Sequence, residues 1–334
     1  MDPLSQAALG ASLSQSFAND KTKQITALVI GGLAGMAPDL DILINSTEDP
    51  LLFLEFHRQF THSMSFIPFG ALLCALLFYP FAKKKLSFSQ VYLFSFLAYA
   101  THGLLDACTS YGTQLLWPFS NERISWSVVS IIDPLFTVPM IVFTVLAVIR
   151  KNATYARWGF AYAVVFLSLG VLQNQRAEEA AGELALQRGH QVERINVKPS
   201  FGNRHVWKII YEYDGRYYVD AVRLLWDVEY IMGSSIEKLD VSRDFPWLPE
   251  DSQQAKDIER FRWFSDDFLA VSVEDQRLIT DVRYSLLPND IKPMWGIEVN
   301  KQPIDDGNLD AHVFFEVDNR LDKEMRGQFL DMLF

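Results

Sequence analysis

The sequence predicts a membrane-embedded α-helical bundle of about five to six helices, followed by a soluble α+β domain with a mainly antiparallel sheet. Long apolar runs with few charges are confined to the first half of the chain. Residues 1–173 carry 10 basic and 10 acidic side chains, whereas residues 174–334 carry 20 and 31, so the net charge of −11 lies in the second half. The charge asymmetry and the length of 334 residues predict two domains, at 1–173 and 174–334.

Five runs in the first half approach the roughly 20 apolar residues that a helix needs to cross a bilayer. They lie at residues 27–44, 64–82, 86–105, 128–149 and 155–172. Residues 4–18 predict a further short helix that turns back through Lys21–Lys23 and pairs antiparallel with 25–44. A large soluble helical core is the alternative, but buried helices seldom occur as several long charge-free runs in one half of a chain.

Basic residues in the connectors predict the orientation of these helices, because cytoplasmic loops are rich in lysine and arginine. Such residues cluster at 21–23, 83–85 and 150–157, whereas the connectors 45–63 and 106–127 hold one arginine each. We therefore expect a multi-pass protein of the bacterial inner membrane whose second domain lies in the periplasm.

Polar residues gather at the outer face of this predicted bundle, although the orientation was assigned without them. Ionisable groups in or near hydrocarbon are normally paired, metal-bound or functional. The potential ligands come from four separate segments: Asp39, Asp41, His57, His62, His102, Asp106 and Asp133.

The predicted chemistry rests on the combination of these residues, because each motif alone is weak. His102 and Asp106 are four residues apart and share one helical face, which suits two ligands of one ion. Three histidines with carboxylates and no thiolates form a mixed nitrogen and oxygen set, which suits zinc first and manganese or iron as alternatives. Such an ion lowers the pKa of a bound water and polarises a phosphoryl or carbonyl oxygen.

Arg58 and Asp41 are the candidate catalytic residues. Arg58 would clamp an anionic group of the substrate, and Asp41 accompanies Asp39 in the APDLD motif. Each has a simpler alternative: a loop arginine is often solvated or held at a lipid headgroup, and polar residues at a helix end often mark an interface. Pro38 disfavours helix at Ala37 and predicts an irregular turn there.

At these residues the sequence resembles the YdjM-like family of inner-membrane metal-dependent hydrolases. The resemblance covers roughly residues 1–150 and rests on DPLSQAALGA, APDLD, HRQFTHS, THGLLDACTSYGTQLLWPFS and ISWSVVSIIDPLF, in that order. The family is similar in its motif logic to zinc-dependent phospholipases C. The resemblance implies metal-binding roles for Asp39, His62, His102 and Asp106, with Asp41, His57 and Asp133 nearby. Many relatives carry a histidine where this chain has Gln6, so the chain is expected to lack one nitrogen ligand or to hold fewer ions.

The second half is expected to begin with a helix at 174–188 that leaves the membrane, followed by strands and two further helices. The runs 205–213 and 216–225 flank Asp214-Gly215, a strong hairpin signal. Further strands are expected at 268–273, 278–284, 294–299 and 311–317, and helices at 251–264 and 319–333. The spacing of the histidines in this half does not suggest ligands, and its tryptophans are interpreted as core residues.

A membrane-bound metal-dependent hydrolase acting on a phosphoester or lipid-linked substrate is the leading functional hypothesis. The alternative is a non-enzymatic membrane-anchored binding or stress-response protein with a structural metal or polar cluster. A transporter is disfavoured because its polar residues would lie near the middle of the membrane. Membrane lipids are the expected partners, and the acidic second half argues against nucleic acid. Whether a protein binds the second domain stays open.

Overall fold

The computed structural model describes residues 1–18, 20, 22–300, 311–317 and 323–333. These residues form two compact units. The helical unit contains residues 1–43, 56–174 and 201–204, and the sheet unit contains 44–55, 175–200 and the described residues from 205 onward.

The helical unit consists of helices joined by short 3₁₀ segments. Its helices are α1 (Pro3–Ser16), α2 (Gln24–Met36), α4 (Ile67–Ala82), α5 (Phe88–Ala107), α6 (Pro134–Ile149) and the first part of α7 (Ala153–Gln187). A 3₁₀ helix, Ala37–Leu43, continues α2, and two more, Phe60–His62 and Met64–Phe66, precede α4. The short helix α3 (Leu52–Phe56) lies in the connector before them.

Among the described residues, three helical segments are long and apolar enough to cross a membrane. They are Gln24–Leu43, Met64–Ala82 and Ala153–Gln187, and α6 is apolar but shorter. The prediction of a membrane helical bundle is therefore confirmed.

One predicted helix boundary was wrong. The run 128–149 becomes helical only at Pro134, because the Asp133 side chain accepts hydrogen bonds from the backbone of Leu135 and Phe136 and so caps the helix. The predicted span 155–172 and the helix predicted at 174–188 form one continuous helix, α7 (Ala153–Gln187). Its apolar and its charged stretch both have helical propensity, and Gly159, Gly170 and Gly182 lie within it without interrupting it.

Helices α1 and α2 pack closely and antiparallel, as the turn at residues 21–23 predicts. Small residues allow the approach: a β-carbon on Gly31 would lie 2.7 Å from the carbonyl oxygen of Gly10 and 2.6 Å from Ser14 Oγ. A β-carbon on Gly35 would lie 2.8 Å from the carbonyl oxygen of Gln6. This packing places Gln6 beside the end of α2.

The sheet unit contains two four-stranded antiparallel sheets, which confirms the predicted α+β fold with an antiparallel sheet. The first has the order β1-β2-β3-β4, and the second has the order β5-β6-β7-β8. The strands are β1 (Arg194–Pro199), β2 (Val206–Tyr213), β3 (Arg216–Leu224), β4 (Val228–Glu237), β5 (Leu269–Val271), β6 (Leu278–Asp281), β7 (Trp295–Glu298) and β8 (Phe314–Val317). The helices of this unit are α8 (Val241–Asp244), α9 (Gln253–Phe264), α10 (Lys323–Leu333) and the end of α7.

The first sheet is covered on both faces. Small and apolar residues of α7, including Ala177, Ala181 and Leu184, pack against Trp207 and Val222 on one face. The other face meets the second sheet through a cluster of buried residues: Ile210, Tyr217, Val219, Ile236, Phe268, Ala270 and Val282.

The hairpin signal at Asp214-Gly215 is confirmed, with both residues at positive φ (51° and 68°) between β2 and β3. Strands β1 and β4 were missed, because Pro199 ends the first and Gly233 with two serines interrupts the pattern of the second. Trp207 is buried as expected, but the core interpretation of Trp226 was wrong, since its side chain is 99% exposed.

Candidate metal centre

Four side chains from three segments of the helical unit converge at one point. Asp39 lies on the 3₁₀ helix that continues α2, and His62 ends the 3₁₀ helix before α4. His102 and Asp106 lie one turn apart on α5. Each of the four turns one ligand atom into a space where all these atoms lie within 4.8 Å of one another.

The separations between these atoms match the edges of a tetrahedral zinc site. His62 Nε2 lies 2.9 Å from His102 Nε2 and 3.4 Å from Asp39 Oδ1. His102 Nε2 lies 3.3 Å from Asp39 Oδ1, and Asp106 Oδ2 lies 3.2 Å from His62 Nε2 and 3.6 Å from His102 Nε2. Bond lengths of about 2.0–2.1 Å to zinc would place tetrahedral ligands roughly 3.3–3.4 Å apart. The donor set and its spacing therefore fit a zinc ion.

Hydrogen bonds on the far side of each imidazole orient it toward this space. His102 Nδ1 donates to the Gly35 carbonyl oxygen at 2.5 Å, which leaves Nε2 as the unprotonated nitrogen. His62 Nδ1 lies 3.2 Å from Asp41 Oδ2 and 3.0 Å from Thr61 Oγ1. The two Nε2 atoms therefore face each other at 2.9 Å, a contact that either a shared proton or a cation between them would stabilise.

The negative charge of the carboxylates around His62 also favours a cation in this cluster. Burial is the largest influence on the pKa of His62 and lowers it, but hydrogen bonds with Asp106, Asp39 and Asp41 outweigh burial and raise this pKa to about 10. The carboxylates thus favour a positive charge beside them, and a divalent ion would supply that charge.

Asp41 lies beside the cluster and is surrounded by donors. Its Oδ2 accepts hydrogen bonds from the Arg58 backbone at 3.1 Å and from Thr61 Oγ1 at 2.7 Å, and its Oδ1 lies 2.8 Å from His57 Nδ1. Asp39, Asp41 and His57 form a second group of atoms that could hold an ion. In the arrangement observed, Asp41 positions both histidines.

Arg58 points into the protein beside the cluster. Its side chain is buried, with Nε 3.2 Å from Asp106 Oδ2, Nη1 3.0 Å from Thr109 Oγ1, and Cζ 4.9 Å from the centre of the Tyr111 ring. Its backbone has φ of 66°, a region that non-glycine residues rarely adopt. The contacts hold Arg58 as a counter-charge for Asp106, and its role as an anion clamp stays a prediction.

The structure does not bring Asp133 into either group of converging ligand atoms. Its carboxylate caps α6 instead, with Oδ1 accepting from the Leu135 backbone at 3.0 Å. Within the described residues of the sheet unit, His190, His205 and His312 belong to no such group either.

Gln6 also reaches the centre. Its Nε2 donates to Asp106 Oδ1 at 3.0 Å and to the His102 carbonyl oxygen at 3.3 Å. The amide engages one oxygen of Asp106 and leaves the other, Oδ2, facing the imidazoles. The Gly35 carbonyl is the partner that sequence reasoning missed, because a backbone acceptor carries no residue-type signal.

Comparison with known proteins identifies the family of the chain. The YdjM inner membrane protein family matches residues 1–177 of the chain. The chain belongs to the YdjM family. The YdjM match contains all four converging ligands and ends inside α7, and it assigns the chain to the inner membrane.

One curated relative resembles part of this YdjM protein. The uncharacterized protein YfhP of Bacillus subtilis (strain 168) is 28% identical over 149 residues, which is 44% of this chain and 42% of the relative. The chain thus spans less than half the length of that relative. No solved structure matches this YdjM protein.

Proposed function

We propose that this YdjM protein is a membrane-bound, metal-dependent hydrolase with a zinc ion held by Asp39, His62, His102 and Asp106. One observation supports this most directly: five of the six separations between four nitrogen and oxygen atoms are 2.9–3.6 Å, and all four atoms lie within 4.8 Å of one another, close to the spacing of ligands of one tetrahedral ion. The mixed donor set without thiolates favours zinc over a sulfur-bound metal, with manganese or iron as the other candidates.

When bound, zinc would supply an activated water and polarise the bond that is cleaved. The side chains around it have separate tasks. Asp39 is the ligand with solvent access, since 29% of its side chain is exposed whereas those of His62, His102 and Asp106 are buried. Substrate would therefore approach at Asp39, and Asp41 would keep His62 oriented during the reaction.

A phosphoester or lipid-linked substrate fits the location of this site. Asp39 lies near the end of the candidate span Gln24–Leu43, and Asp106 lies at the end of α5. A site at helix ends meets lipid headgroups, which carry phosphoesters. His57, at the edge of the centre with 20% of its side chain exposed, is available to contact such a group.

A non-enzymatic role has one specific observation in its favour. Four protein ligands complete a tetrahedron, and closed tetrahedral sites are typical of structural zinc, whereas catalytic sites keep one position open. In this alternative the ion would brace α5 against the 3₁₀ segments of a membrane-anchored binding protein.

Metal analysis of the detergent-purified protein tests both proposals. We expect about one zinc per chain in the wild type and its loss in the His62→Ala/His102→Ala double variant, because both imidazoles face the ion. His190→Ala, the same change in the sheet unit, should retain the metal. A wild type without metal after reconstitution with zinc, manganese or iron would exclude the centre.

Hydrolysis by the metal-loaded protein then separates the two roles. We expect cleavage of phospholipid vesicles or a soluble phosphodiester, and its loss in the double variant. Metal binding without hydrolysis of either substrate, together with a large fall in Tm on chelation, would favour the structural role.

A further inference from the structure

The hairpin between β3 and β4 carries an exposed apolar tip at residues 225–228. Trp226 is 99% exposed, and its neighbours Leu225 and Val228 are 47% and 44% exposed. Exposed apolar side chains that cluster mark an interaction surface more often than single exposed apolar residues do. The rest of the hairpin is well packed: Val222 and Leu224 are buried against α7.

The position of this tip along α7 is set by direct contacts. Arg176 Nη2 donates to the Leu225 carbonyl oxygen at 2.9 Å, and Tyr230, on the other strand, donates its hydroxyl to the Ala180 carbonyl oxygen at 3.2 Å. The hairpin therefore runs along α7, with its tip beside Arg176 and its strand β4 beside Ala180.

The apolar surface of α7 ends just before Arg176. Leu169, Val171 and Leu172 are apolar and exposed, as residues facing lipid are. At 1.5 Å per residue, Arg176 lies about 6 Å beyond Leu172 along the helix axis. The interfacial layer on each side of the hydrocarbon core is roughly 5–8 Å thick. Because Arg176 holds the carbonyl oxygen of Leu225, this spacing predicts that the hairpin tip lies at the depth of the lipid headgroups.

We propose that residues 225–228 insert into the headgroup layer of the membrane that α7 crosses and anchor the sheet unit to it. Tryptophan is enriched at this depth because its ring is apolar and its N–H can donate to headgroup oxygens. Leu225 and Val228 add apolar area on either side, and Arg176 stands at the level of the phosphates. Continuity with the apolar surface of α7 identifies lipid as the occupant. The proposal requires neither the metal centre nor an orientation of the chain.

Quenching of tryptophan fluorescence by brominated lipid tests this anchor. The full-length protein is reconstituted in phosphatidylethanolamine/phosphatidylglycerol nanodiscs with and without brominated acyl chains. Trp226→Phe should lose part of the lipid-quenchable emission, by an amount similar to Trp158→Phe, which removes an exposed tryptophan within the candidate span of α7. Trp295→Phe, on strand β7, should leave the quenchable emission unchanged.

Two results would contradict insertion of the tip into the headgroup layer. If Trp226→Phe leaves the lipid-quenchable emission at its wild-type level and instead removes emission that aqueous iodide quenches, the tip lies in water and the proposal is wrong. If neither quencher reaches Trp226, another protein surface or a second copy covers the tip, and the lipid anchor is likewise excluded. Because the Trp226 side chain is 99% exposed among the residues that the structure describes, the variant should fold normally.

Discussion

Asp39 and Asp41 are two residues apart in one short motif, yet their surroundings differ. The segment Ala37–Leu43 is a 3₁₀ helix, in which each residue turns the chain by about 120°, so the two carboxylates point in different directions. Asp39 meets the two Nε2 atoms, whereas Asp41 meets His57, Thr61 and the Arg58 backbone. At this scale the distinction between a candidate ligand and a positioning residue is set by local backbone geometry.

Gln6 occupies the position at which the resemblance to YdjM-like relatives expects histidine. Its amide holds Asp106 Oδ1, so it orients a ligand where an imidazole would itself bind. This contact supports the expectation that the chain has one nitrogen ligand fewer, and it favours a centre with a single ion.

Asp41→Asn is expected to lower the zinc affinity about 10- to 100-fold, because the carboxylate that orients His62 loses its charge. Competition with a chelator of known affinity measures this change on the detergent-purified protein. Asp133→Asn is the matched control, since asparagine also caps helices well and Asp133 lies outside both ligand groups. Equal affinities for wild type and Asp41→Asn would remove the positioning role, and a loss in Asp133→Asn would return Asp133 to the ligand set.

At the scale of the elements, contact between α1 and α2 positions the centre. Gly10, Gly31 and Gly35 let the two backbones approach, and Gln6 on α1 then reaches Asp106 on α5. The Gly35 carbonyl, at the end of α2, receives the His102 ring from α5. Close packing of α1 against α2, and hydrogen bonds from Gln6 and His102, thus join three helices at the candidate metal centre.

Gly31→Ala is expected to destabilise the helical unit by about 1–3 kcal/mol, because the new methyl group would overlap the Gly10 carbonyl and Ser14 Oγ. Gly182→Ala is the matched control: Gly182 also lies within a helix, and a β-carbon there has no neighbour within 4 Å. That control should be neutral or more stable by up to about 1 kcal/mol. Thermal unfolding in detergent provides the comparison, and a Gly31→Ala protein as stable as wild type would show that the helices can separate without loss.

On the scale of the whole molecule, the chain alternates between its two units. Residues 44–55, which lie between α2 and the His57 loop in sequence, belong to the sheet unit. Within that unit, Arg260 pairs with Asp49 at 2.8 Å and with Glu55 at 2.5 Å. The connector that predicts an extracytoplasmic loop therefore belongs to the same unit as the C-terminal domain, which supports placing both on one side of the membrane.

The predicted periplasmic location of the sheet unit can be tested by cysteine labelling, because the native Cys74 and Cys108 are buried. In spheroplasts, an impermeant maleimide should label Asp251→Cys, in an exposed loop of the sheet unit, without lysis. Lys84→Cys, in the exposed basic connector after α4, should react only after lysis, because basic connectors remain cytoplasmic. The reverse pattern would invert the topology.

Much of the fold was predictable because its signals are local. Runs of apolar residues reveal spanning helices since the bilayer requires a minimum length, and Asp214-Gly215 reveals a hairpin since few residue pairs adopt its positive φ angles. Strand β4 has no such signal: most of its residues are exposed, and its pairing with β3 supplies the stability. The prediction for Trp226 was wrong because the sequence shows that a tryptophan is present but not whether other residues of the fold cover its side chain.

The membrane helices, the acidic sheet domain and the pairing of His102 with Asp106 follow from the sequence, because each depends on spacing within one element. The resemblance to YdjM-like proteins implied that Asp39 and His62 join that pair, and the structure brings the four ligand atoms together. That Asp41, Asp133 and Arg58 contact other groups emerges from the folded structure alone. Those positions depend on how α1, α2 and α5 pack and on which backbone atoms satisfy each imidazole, and such contacts between distant segments leave no periodic trace in the chain.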